Sequence, residues 1–137
     1  MKIQTTRFGE IEIKPEDIIN FPDGILGFPN DHEYVPIDEE RATPFRMLQS
    51  TTVPQRAFII LDPRFSYPDY IFDVTFEDVV KFHCQNTDDL EVYAIVEIGG
   101  QTLNLQGPVV IDKNTKIGYQ FILTDKRYTT REPIIPG

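Results

Sequence analysis

Apolar side chains fall on every second position in several short segments of this 137-residue chain, a period that admits little besides β-sheet. Ile11 and Ile13 set the rhythm in IEIK, and LEVYAIVEI (90–98) repeats it over a longer run. KIQTT, ahead of Phe8-Gly9, is placed to pair with IEIK as a hairpin. YVPI (34–37) and FRMLQS (45–50) read as further short strands. RAFIILD (56–62) is apolar without a break and reads as a strand buried on both faces. Gly99-Gly100 offers a tight turn into QTLNLQ, and Lys113-Asn114-Thr115 joins VVID (109–112) to KIGYQFIL (116–123) as a second hairpin. Eleven prolines and eight glycines punctuate the chain.

One segment follows a helical rule instead. Thr75 opens Thr-Phe-Glu-Asp, a capping-box-like pattern, and Phe76, Val79, Val80 and Phe82 supply an apolar stripe of about two turns. Many short strands with a single short helix predict a mainly β chain: a small antiparallel, barrel-like domain with one or two short helices, spanning residues 1–137. NFPDGILGF (20–28) fits neither pattern. Pro22, Gly24 and Gly27 interrupt any helix, yet the stretch is too apolar for an idle loop. It reads as a plug: the glycines turn the chain while Phe21, Ile25, Leu26 and Phe28 dock onto the open end of the sheet. Partner contact by Leu26 or Phe28 is the alternative.

Charge narrows the function. Twenty-two acids against thirteen bases give a net charge of -9. Such a surface repels a phosphate backbone, which disfavours direct nucleic-acid binding and an RNA-binding barrel. Between Asp62 and Glu91 stand eight acids and two bases, and Asp31, Glu33, Asp38, Glu39 and Glu40 form a second acidic cluster. Either these clusters serve solubility, or an acidic face steers a basic protein partner. No apolar run is long enough to span a membrane, and MKIQTTRFGEIEIK lacks the apolar centre of a signal peptide. With one cysteine, Cys84, the chain is expected in the cytoplasm.

No pattern of catalytic, cofactor-binding or metal-ligating residues emerges. His83 and Cys84 are adjacent and would diverge by about 100° on a helix. There is no phosphate-binding glycine loop and no nucleophile elbow. DPRFSYPDYIFDV (62–74) is more distinctive. Its rings either fill the core or form, with their rim of carboxylates, a protein-binding hot spot. A small β-barrel enzyme using acids near Asp62 and Asp69 remains the alternative, and requires a closed pocket around paired carboxylates.

Four segments occur in series: FPDGILGFP (21–29), PFRMLQS (44–50), AFIILDPRFSYPDY (57–70) and LNLQGPVVIDKNTKIGYQFIL (103–123). Together they resemble the FliW family of flagellar assembly factors, from Gly9 to about Tyr128. The resemblance implies a small antiparallel barrel without cofactor or catalysis. It also implies two alternative partners, flagellin and the translational repressor CsrA, a basic RNA-binding homodimer whose hold on flagellin mRNA is relieved allosterically. Carried onto this chain, it suggests Met47, Leu48, Gln49 and Ser50 at a binding edge, where strand-edge polar groups could pair with a partner's backbone. The 62–74 segment adds Phe65, Tyr67, Asp69, Tyr70, Ile71 and Asp73, with Glu77 beyond.

Overall fold

The computed structural model describes residues 1–70, 80–82, 87–97, 99, 101–124 and 127–136. Ten strands are present among them: β1 (Lys2–Thr5), β2 (Gly9–Glu12), β3 (Ile19–Asn20), β4 (Glu33–Asp38), β5 (Arg46–Ser50), β6 (Ala57–Leu61), β7 (Leu90–Val96), β8 (Thr102–Asp112), β9 (Ile117–Gln120) and β10 (Glu132–Pro133). β1 and β2 form the expected hairpin, with Ile3 opposite Ile11. The other strands run in the order β10-β8-β7-β6-β5-β4-β3-β9, and pairing of β8 with β9 closes seven of them into a barrel. The closure includes one parallel contact, Asn20 with Ile117, against antiparallel pairing elsewhere. The mainly β, barrel-like expectation therefore holds.

Alternation sorts side chains between inside and outside. The interior packs Ile19, Phe21, Ile25, Tyr34, Leu48, Ile60, Tyr93, Val109 and Ile111. Phe21, wholly buried, meets Tyr34 edge-on at 5.5 Å, and burial of one such ring contributes roughly 2–3 kcal/mol. Two further clusters lie outside the barrel wall. The β1–β2 hairpin covers Val35 with Ile3 and Ile13. Residues 63–70 and the chain after Phe121 cover Leu61, Ala94, Val96, Leu103 and Leu105.

Three local expectations need correction. QTLNLQ and VVID are one strand, β8, because Gly107-Pro108 makes an excursion without ending the ladder. Phe121 N donates to Pro108 O and Leu123 N to Gln106 O, while the β7 register shifts between Tyr93 and Ile95. RAFIILD is not buried on both faces: Ile60 is buried, but Ile59 is 40% exposed, with no element among the described residues covering it. The loop 20–28 is a plug in part. Phe21 and Ile25 are buried and Gly24 and Gly27 take positive φ, but Leu26 is 69% exposed. Of the expected helix, Val80 and Lys81 are helical and Phe82 is buried; the remainder, with His83 and Cys84, lies outside the described residues. No helix among the described residues is long and apolar enough to cross a membrane.

Candidate functional site: an apolar trough on the barrel wall

Ile37, Met47 and Ile59 stand directly opposite one another on β4, β5 and β6. All three face outward, because their neighbours Leu48 and Ile60 point into the barrel. Extending the β6–β7 register by one position brings Val96 into the same row. The hairpin covers the outer wall on one side of this row, and residues 63–70 cover it on the other. Between them the row is only partly covered: Ile59 is exposed and Ile37 half-buried, while Met47 and Val96 are buried beneath. It floors a groove of about 250 Å³, walled by Phe8 at the hairpin tip and by Ala42 and Phe45. Past Ile59 and Val96 the groove continues into a wider cleft of about 770 Å³, lined by Phe28, Phe58, Glu97 and Asn104.

Charged residues on the groove rim are paired. Arg7 meets Glu39 at 3.3 Å, and Arg46 holds Asp38 through Nε (2.6 Å) and Nη2 (3.1 Å). Arg46 Nη1 also donates to the Tyr93 hydroxyl at 2.8 Å. Burial disfavours the Arg46 charge, but these bonds outweigh it and raise its pKa above the ordinary value. At the far mouth the Arg56 guanidinium lies 4.0 Å from the Phe28 ring centroid. Arg56 is held by the buried Asp31 carboxylate at 2.9 Å, which also accepts from Ser50 Oγ at 2.7 Å. Beneath them Tyr34 is pushed up to about 12, first by burial and then by the Asp31 charge. The loop 20–28 thus presents Phe28 to the trough from a fixed base.

The four residues expected at a binding edge are divided by strand alternation. β5 is paired on both sides, by β4 and by β6, so it has no free edge. Leu48 fills the barrel core and Ser50 bonds Asp31. Gln49, 1% exposed, donates to the carbonyls of Ser50, Pro54 and Arg56 and so ties down the β5–β6 loop. Met47 alone of the four reaches the trough, as part of its floor.

The aromatic segment is also more structural than an open hot spot. Asp62 caps a short 3-10 turn over Pro63–Phe65 by accepting from Arg64 N. Phe65 and Tyr67 pack half-buried on the outer cluster, and the Tyr67 hydroxyl donates to Pro133 O at 2.6 Å. Tyr70 is buried, its hydroxyl donating to Leu105 O at 2.8 Å. Ser66 Oγ clasps Ile135 through both its carbonyl and its N–H. Asp69 is exposed, as is Asp62, so these two acids do not share an enclosed pocket. Ile71, Asp73 and Glu77 lie outside the described residues. Sequence reasoning missed Phe8, Ile37, Phe45, Ile59 and Val96. Alternation marked each as apolar, but only the strand register aligns them.

A sequence model of the family described as FliW protein matches residues 2–134. The flagellar assembly factor FliW of Alkaliphilus metalliredigens is 39% identical, over 98% of this chain and 86% of its own. That of Geobacter sulfurreducens is 35% identical over 97% and 86%. A crystal structure of the flagellar assembly factor FliW superposes with a TM-score of 0.89 at 33% identity, covering 99% of this chain and 98% of the other.

Proposed function

The chain belongs to the FliW protein family, and from that premise we propose that this flagellar assembly factor works in the cytoplasm by exchanging partners, catalysing no reaction. It holds flagellin, and when flagellin is consumed it captures the basic repressor CsrA and so relieves repression of flagellin mRNA. The observation that carries this reading is the trough. Among the described residues the barrel wall leaves Ile59 and Phe8 exposed and Ile37 and Phe45 half-buried around a floor that includes Met47, the anatomy of a protein-binding surface. The net charge of -9 favours a basic partner and deters RNA.

Switching then needs only linkage. Where two partners' sites overlap or are negatively coupled, each weakens the other by the same factor, and about 3 kcal/mol of coupling gives over a hundredfold discrimination. Release of repression acts through the protein partner and leaves the RNA untouched.

The deciding experiment mixes the purified protein with CsrA, with flagellin, and with both, followed by size-exclusion chromatography. Two binary complexes, each excluding the other, are expected. Co-elution of all three in one assembly would count against exchange. Ile59→Lys, at a position already open to solvent, should weaken capture at least about tenfold, the equivalent of one lost apolar anchor. Its thermal midpoint should stay near that of the parent.

A further inference from the structure

Strand β6 is paired unequally on its two edges. Against β5 it is registered over Ala57 to Ile60, but against β7 only at Ile60 and Leu61. The hydrogen bond from Ser50 N to Arg56 O, 2.9 Å, fixes the phase of the β5 side. Bonding alternates along an antiparallel ladder, so Phe58 and Ile60 face β5 while Ala57 and Ile59 turn their backbone groups toward β7. There β7 ends. Val96 is its last residue, and Glu97 N donates to Thr102 O in the turn to β8. The 770 Å³ cleft opens at this seam, with Ala57, Phe58 and Ile59 along one wall and Glu97, Gly99 and Asn104 along the other.

We propose that the seam is a strand-addition site. An extended segment of a protein partner lies along β6, apolar at alternate positions and basic where it passes Glu97. Three features of the cleft select that occupant. Backbone groups at Ala57 point into it, and an added strand is what a ladder edge binds. Ile59 on the outer face and Phe28 at the mouth, 40% and 37% exposed, offer apolar contacts to alternate side chains. Glu97 makes no ion pair with a described residue, whereas Asp38 and Glu39 at the other end of the trough are already matched by Arg46 and Arg7. A second copy of this chain would bring another net charge of -9 to the same edge. The proposal goes beyond the partner exchange above, since it stands on the seam whichever protein supplies the strand.

The probe is an acetylated, amidated hexapeptide of alternating lysine and valine, titrated into the isotope-labelled full chain by NMR. Saturable shifts are expected at the amides of Ala57, Phe58, Ile59 and Glu97. The Ala57 amide should gain protection from hydrogen exchange, while that of Phe58, already facing β5, should change little. Two further peptides carry N-methyl groups on alternate residues, in opposite phases. One phase should bind and the other fail, a signature of ladder pairing that plain hydrophobic docking lacks. Ala57→Pro removes a donor that faces away from β5 and should weaken binding about tenfold. Glu97→Lys should transfer the preference to a glutamate–valine peptide. The proposal is overturned by no saturable shift at millimolar peptide, by shifts elsewhere on the barrel, or by equal behaviour of the two methylated phases. Concentration-dependent self-association through β6 without peptide would assign the edge to a second copy instead. If Ala57→Pro does not fold, the methylated pair alone decides.

Discussion

The ring of Phe21 fills the space that a side chain at position 118 would need. A β-carbon on Gly118 would lie 2.5 Å from Phe21 Cε2 and 2.6 Å from Cζ. Phe21 cannot swing away freely, because Tyr34 braces it edge-on at 5.5 Å and 85°. Gly118→Ala is therefore expected to destabilise the fold by roughly 1–3 kcal/mol, as overpacking does. Urea unfolding should show a lower midpoint with an unchanged slope, and Phe21→Leu in the same chain should recover part of the loss. Unaltered stability in the single variant would mean that the plug is loosely packed.

The two glycines of the plug differ in kind. Gly24, at φ 67°, is crowded: a β-carbon there would strike the Phe28 carbonyl and lie 2.7 Å from Pro29 Cα. Gly27, at φ 95°, has open space around it. Gly27→Val should cost on the order of 1 kcal/mol from backbone strain, and Gly24→Val clearly more. Thermal melts compare them directly; equal midpoints for both valine variants and the parent would remove the need for left-handed backbone here.

Tyr70→Phe deletes the hydroxyl that serves Leu105 O and leaves a buried carbonyl without that donor. A loss of about 1–2 kcal/mol is expected in chemical denaturation, with the barrel otherwise intact.

Asp69 separates stability from steering. It is exposed, so Asp69→Lys should leave the melting temperature unchanged while slowing association with CsrA at low salt. Stopped-flow rates across ionic strength test this; a rate indifferent to both salt and charge reversal would reduce the acidic cluster to a solvated surface.

High pH should unfold the protein through its buried phenols. Tyr34 is raised from 10 to about 12, and burial shifts Tyr70 and Tyr93 in the same direction. Between those values the unfolded chain releases a proton that the folded chain keeps, so stability falls as pH rises from about 10 toward 12. Tyr34→Phe should flatten that slope when denaturation midpoints are followed against pH.

Much of the barrel could be read from local pattern. KIQTT and IEIK pair as their alternation and Phe8-Gly9 indicate, and the turn after Asp112 forms where Lys113-Asn114-Thr115 stands, its amides capped by the Asp112 carboxylate. The site was far less legible. Met47, Leu48, Gln49 and Ser50 share one motif, yet pleating sends Leu48 and Ser50 inward and leaves only Met47 in the trough. The conspicuous rings of 65–70 serve mainly to fasten the chain end to the outer wall.

Spacing of apolar residues, and the glycines and prolines between them, determined which segments become strands and where the chain turns, because those choices depend on neighbours a few positions away. Which face of each strand would be inside, how β9 meets β3 to close the wall, and that Ile37, Met47 and Ile59 line up along one groove depend on register between segments distant in the chain. A period of two defines two faces without saying what will lie on the outer one. Only packing of the hairpin to one side and of residues 63–70 to the other decided that a groove would remain between them.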